Sequence, residues 1–195
     1  MNYLSIDTSS KLCSTTFFYK SKYYIEEKES NNEHTKVLYT LCQKLIKNKV
    51  NEIDFIVLAI GPGSYSGLKI GSSFAKGLAL SLNKPIVPIS TFDGINLSIK
   101  SNKKYYISIY SHRDYAFFQL YDSGVAIKDS ICSKIENMKK YNIYGFGFDK
   151  KIINNRFFET KPSSKNIGKI ALNNYKNLAE NNLNKIKPLF LSMEK

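Results

Sequence analysis

Two related α/β subdomains, each a mixed sheet flanked by helices, are the fold this chain predicts. Three observations carry the expectation. The order strand-strand-strand-helix-strand-helix can be read twice along the 195 residues. The opening strands of the two passes match, Tyr3-Leu4-Ser5-Ile6-Asp7 beside Tyr106-Ile107-Ser108-Ile109-Tyr110. In the first half a stiff turn, Gly61-Pro62-Gly63-Ser64, joins an apolar strand to a helix. The boundary is expected near residues 98–104, which gives subdomains of 1–100 and 101–195.

The elements follow in order. Residues 3–7 read as a strand, the polar residues 8–11 as a turn, and residues 13–19 and 23–27 as two further strands of an antiparallel meander. Ser30-Asn31-Asn32-Glu33 is a capping region for a helix over 34–47, with Val37, Leu38, Leu41, Leu45 and Ile46 on one face. Residues 55–60 are a buried strand, 68–82 a helix stopped by Asn83-Lys84-Pro85, and 86–89 a short strand. In the second half, strands are expected at 105–110, 115–121, 125–130 and 143–148. Helices are expected at 133–140 and 164–179, and residues 187–192 read as a further extended piece.

Composition narrows the class. No apolar run approaches the roughly 20 residues of a membrane span, and the N-terminus has no basic n-region or long apolar core. Cys13, Cys42 and Cys132 are too few and too widely spaced for a disulfide framework or a zinc knuckle. A reducing cytoplasm is the expected location. The net charge of +13 comes almost wholly from lysine. It has two readings, a codon bias in the source genome or contact with nucleic acid. The lysines are scattered, and the densest groups, Lys103-Lys104, Lys139-Lys140 and Lys150-Lys151, are only pairs.

The glycine turn has three rival readings. It lacks the spacing of a P-loop, and as a dinucleotide fingerprint its third glycine, Gly67, stands one place late. The third reading is close packing. Gly67, Gly71, Ala75 and Ala79 recur every four residues and so share one helix face, which could meet either the protein's own sheet or a partner helix. Leu68, Phe74, Leu78 and Leu82 are then expected on the sheet side, with the small-residue stripe left for a partner. Asp7, followed by Thr8 and Ser9, ends a strand. It is either a turn aspartate bonded to local N–H groups or a carboxylate for a magnesium-bound phosphate. Its counterpart in the second half is Tyr110, so a clamp built from both halves lacks its second acid. His34 has Leu38 one turn later where a metal site would want a ligand, and His112 is the only other histidine. No metal centre and no Ser-His-Asp triad is expected.

Ile6-Asp7-Thr8-Ser9, Glu33-His34-Thr35, Gly61-Pro62-Gly63-Ser64-Tyr65-Ser66-Gly67-Leu68-Lys69-Ile70-Gly71 and Lys76-Gly77-Leu78-Ala79 together resemble the bacterial TsaB (YeaZ) family. In that family the loop usually reads Gly-Pro-Gly-Ser-Phe-Thr-Gly-Leu-Arg-Ile-Gly, so Tyr65, Ser66 and Lys69 are mild departures. The tail Pro188-Leu189-Phe190-Leu191 resembles the family's closing Pro-x-Tyr-Leu-Arg, with Ser192 in place of the arginine. The resemblance is specific over the first hundred residues and topological beyond them. It implies an actin-like fold (ASKHA, RNase H-like) and a non-catalytic role. The chain would heterodimerise with TsaD, the subunit that transfers a threonylcarbamoyl group to the tRNA adenosine next to the anticodon. TsaE, an ATPase, would join, with ATP, magnesium and metal on those partners and none held by this chain.

The two N-terminal-half helices would pack on their TsaD counterparts as a four-helix bundle. This places His34, Leu38, Leu41, Gly67, Gly71, Ala75 and Ala79 at the interface. Asp7, Thr8, Ser9, Gly61, Gly63 and Ser64 would be a vestigial nucleotide site. A homodimer through the same helices is the expected state of the isolated chain. The rival readings are an actin-like nucleotide-binding enzyme, either phosphotransferase or glycoprotease-like, and a basic tRNA-binding module.

Overall fold

The first sheet is built around β1 (Tyr3–Asp7), whose residues are buried on both faces. β2 (Leu12–Tyr19) and β3 (Lys22–Glu29) extend it antiparallel on one side. β4 (Phe55–Ala59) and β5 (Ile86–Ile89) extend it parallel on the other, giving the order β3-β2-β1-β4-β5. The two-residue period of a strand divides β1 between two cores. Leu4 and Ile6 pack with Leu38 and Leu41 of α1 (His34–Ile46) and Ala75 and Ala79 of α2 (Tyr65–Leu82). Tyr3 lies in the other core, with Phe55, Val57, Val87, Ile167 and Ala171. The computed structural model describes residues 1–30, 33–138, 140–148 and 156–192. Asn31, Asn32, Lys139 and the Lys150-Lys151 pair lie outside them.

The second sheet repeats the first. β6 (Lys104–His112) is its centre, with β7 (Tyr115–Asp122) and β8 (Val125–Ala126) antiparallel on one side. A short β9 (Ile131–Lys134) also pairs with β7. β10 (Asn142–Phe146) and β11 (Phe157–Glu159) run parallel on the other side, in the order β11-β10-β6-β7-β8. Read from the other edge, this is the first sheet's order strand for strand.

Two helices cross between the sheets. α3 (Thr91–Asn96) follows the first sheet, yet its Phe92 and Ile95 enter the core of the second with Tyr105, Ile107 and Tyr121. α4 (Ser164–Leu178) follows the second sheet and supplies Ile167 and Ala171 to the first. The two sheets do fall on either side of residues 100 and 101, but α4 packs with the first half, not with the 101–195 unit that was expected to contain it.

Local departures have local causes. α2 begins at Tyr65 instead of residue 68, because Ser64 is its N-cap and accepts a hydrogen bond from the Gly67 N–H at 3.3 Å. The helix expected at 133–140 is strand β9 followed by a 3-10 turn over Ile135–Met138. The strand expected at 125–130 is only the two residues of β8.

Candidate functional site

The six residues expected as a remnant nucleotide site do come together, as a joint between β1 and the start of α2. Asp7 ends β1 fully buried. Its Oδ1 accepts hydrogen bonds from the Ser9 N–H at 3.0 Å and the Ser9 hydroxyl at 2.6 Å. Its Oδ2 is buried with no partner, and burial raises the carboxyl's pKa above the ordinary range, against the opposing pull of the Ser9 bonds. The Thr8 hydroxyl donates to the Gly67 carbonyl at 2.8 Å, and the Ser64 N–H donates to the Ser9 carbonyl at 2.7 Å. The Gly61 carbonyl accepts from the Thr91 N–H at 2.8 Å. Ser9, Gly63 and Ser64 also line a cleft of about 1080 Å³ between the two halves, with Tyr110, His112, Glu159 and Lys161 opposite them. Asp7 does not line it.

The partner-interface expectation is corrected. Gly67, Gly71, Ala75 and Ala79 are all buried, and they face the chain's own sheet. A Cβ on Gly67 would collide with the Thr8 carbonyl oxygen, and one on Gly71 with the Thr8 hydroxyl. The physical reason is the short connection. Only residues 60–64 separate β4 from α2, so the helix starts pressed against the β1–β2 turn and its inner face must be small. Leu38 and Leu41 are likewise core residues. His34 is buried, with its Nε2 2.9 Å from the Ser10 carbonyl and 3.2 Å from the Ser30 hydroxyl.

What α1 and α2 turn outward is a groove of about 560 Å³ between them. Tyr39, Cys42, Ile46 and Val50 form one wall; Phe74, Gly77 and Leu78 form the other, with Ser73 and Ser81 beside them. Phe74 and Leu78 are only partly buried, although they were expected to face the sheet. Tyr39 is 58% exposed. A Cβ added at Gly77 meets nothing within 4 Å. The i, i+4 pair Phe74 and Leu78 was the available signal for this face, but periodicity alone did not say which side of α2 the sheet would take.

Among the described residues no three His, Cys, Asp or Glu side chains converge as a metal site. No helix there is long and apolar enough to cross a membrane. The three cysteines are free and buried, and burial pushes the Cys13 thiol up to about 12, far from a thiolate nucleophile at neutral pH.

Comparison with known proteins places these features in context. Residues 25–113 match the family model described as TsaD, tRNA N6-adenosine threonylcarbamoyltransferase. The tRNA threonylcarbamoyladenosine biosynthesis protein TsaB of Buchnera aphidicola subsp. Baizongia pistaciae is 37% identical over 92 residues, 45% of this chain and 42% of that protein. The tRNA N6-adenosine threonylcarbamoyltransferase of Borreliella burgdorferi is 31% identical over 134 residues, 67% of this chain and 36% of that one. The chain therefore matches less than half the length of either relative. A crystal structure of a Pseudomonas aeruginosa protein, described as similar to peptidase YeaZ, superposes with a TM-score of 0.82 at 16% identity. It covers 98% of this chain and 99% of that one, and shows that the two share a fold. That fold is the actin-like one of two subdomains, each a mixed sheet flanked by helices.

Proposed function

We propose that the chain belongs to the TsaB (YeaZ) family and is a non-catalytic scaffold for tRNA threonylcarbamoylation. It heterodimerises with a TsaD-like catalytic subunit and supports threonylcarbamoyl transfer to the tRNA adenosine next to the anticodon. A TsaE-like ATPase joins the assembly, with ATP, magnesium and metal held on those subunits. The work takes place in the cytoplasm. tRNA meets the chain as part of the complex.

The observation that carries this reading is the open apolar groove between α1 and α2. A groove walled by Tyr39, Ile46, Phe74 and Leu78 matches the apolar face of a second helix pair. Burying each such side chain fully contributes about 1.5–3 kcal/mol, less for those already half covered. The match to the TsaD family model over residues 25–113 spans both helices, so the partner would present related elements to this face. In the absence of the partner the same groove pairs with a second copy, giving a homodimer.

The test is to mix the full chain with the TsaD-like subunit of its own organism, follow co-elution by gel filtration, and assay tRNA modification with and without the chain. A stable complex that raises modification is expected. Two separate peaks and unchanged modification would overturn the proposal.

A further inference from the structure

The lysines look scattered in the sequence, but the fold gathers some of them around exposed tyrosines at one flank of the first sheet. β3 is the edge strand, and it presents Tyr23 on one face and Tyr24 on the other, 36% and 43% exposed. Lys165 and Lys169 of α4 hold their ammonium groups 5.1 and 5.9 Å from the Tyr23 ring centre. Around the edge, Lys49 lies 4.7 Å from the Tyr19 ring and 6.0 Å from that of Tyr24, and Lys20 lies 5.2 Å from Tyr19. Cation–π attraction holds an ammonium without neutralising it.

Among the described residues, no acid forms an ion pair with Lys20, Lys49, Lys165 or Lys169, although β3 carries Glu26, Glu27 and Glu29 and the 3-10 turn Lys47–Glu52 ends in an exposed Glu52. α4 contains no Asp or Glu. On β3, Glu26 is paired to Lys44 at 3.6 Å and Glu27 accepts from the Ser14 hydroxyl at 2.9 Å. Asp54 accepts from the backbone N–H of Asn2 at 2.6 Å.

We infer that this flank, edge strand β3 with the adjoining faces of α4 and of the 3-10 turn Lys47–Glu52, is a contact surface for the sugar-phosphate backbone and an unpaired base of tRNA. The inference rests on the proposed role in tRNA modification. Charge complementarity selects the occupant. Un-neutralised ammonium groups fit phosphates spaced along a strand, and half-exposed tyrosine rings beside them fit a base face, the combination used in single-strand recognition.

The experiment is a filter-binding titration of the full chain with unmodified tRNA over a series of KCl concentrations. The variant Lys49→Gln/Lys165→Gln/Lys169→Gln is compared with the charge-matched control Lys104→Gln/Lys134→Gln/Lys185→Gln, whose lysines all sit in surface ion pairs. The flank variant is expected to lose at least tenfold in affinity and to flatten the slope of log K against log salt by about 2 to 3. The control should lose less than threefold. Tyr23→Ala/Tyr24→Ala should weaken binding severalfold without changing the salt slope. Equal losses in the flank and control variants would overturn the inference in favour of diffuse charge. A flank variant with unchanged tRNA affinity but lost co-elution with the TsaD-like subunit would overturn it in favour of a protein contact. Co-elution kept while tRNA affinity falls supports the inference, and a chain that binds tRNA without any TsaD complex would break the proposed function alone.

Discussion

Gly71 and Gly77 stand in the same helix, six residues apart, and their surroundings are opposite. A methyl group added to Gly71 would drive into the Thr8 hydroxyl, whereas one added to Gly77 would point into open space. Gly71 belongs to the inner stripe that lets α2 press on the β1–β2 turn. Gly77 belongs to the outer wall of the α1–α2 groove. A small residue in a helix can mean close approach already made inside the chain, or room kept for something outside it. Only the neighbour distinguishes the two.

Substitutions can break this comparison. The largest effect is expected for Gly71→Leu, which must displace Thr8 and the turn that carries it. A loss of about 3 kcal/mol is expected, in the range of severe overpacking, or roughly 6–12 °C in Tm for a chain of this size. Thermal melts check this, and an unchanged Tm would mean that the inner face is not closed. Gly77→Glu is the mirror experiment. The monomer should melt at or slightly above the parent temperature, since glycine is a poor helix former. Affinity for the TsaD-like subunit should fall at least tenfold, about 1.4 kcal/mol. Isothermal titration of the two proteins would show it, and full affinity would move the docking surface elsewhere.

The smallest effect sharpens the inner side. The folded state raises the Asp7 pKa by burial, so the fold favours its neutral carboxyl. The stability this contributes is fully present below the unfolded-chain value of about 4. It is lost as pH rises through that value toward and through the folded one. Asp7→Asn removes this dependence. The Tm of the variant relative to the parent should therefore be higher at pH 7 than at pH 4. A constant difference across that range would show that Asp7 ionises in the fold as freely as in water.

Much of this architecture was legible in the residues. β1 and β4 are short apolar runs bounded by polar turns, and the repeated order of elements emerged as two sheets with the same strand order. The joint residues from Asp7 to Ser64 were also readable, because they sit at strand ends that a parallel β1–β4 pair brings together. α3 was not readable. It is six residues long with Gly94 inside it, and it exists because Phe92 and Ile95 find a core on the other sheet. β9 went unread because the pairing that makes it a strand comes from β7. On α2 the expectation fails at Phe74 and Leu78, though not at the buried Leu68, for a related reason. Periodicity identifies which residues share a side, but the closeness of the sheet is a three-dimensional fact set by the five-residue connection from β4.

The exchange of α3 and α4 between the sheets reaches beyond packing. Each half of this duplicated chain wears a helix that belongs, in sequence, to the other. Without the segment that ends in α4, Tyr3, Phe55, Val57 and Val87 would lose the cover of Ile167 and Ala171 and turn an apolar sheet face to water. The duplication therefore gives two look-alike units that cannot be separated by cutting between them. A fragment ending at residue 100 would keep α1, α2 and all five strands of the first sheet, and would lose the helix that covers the sheet's other face.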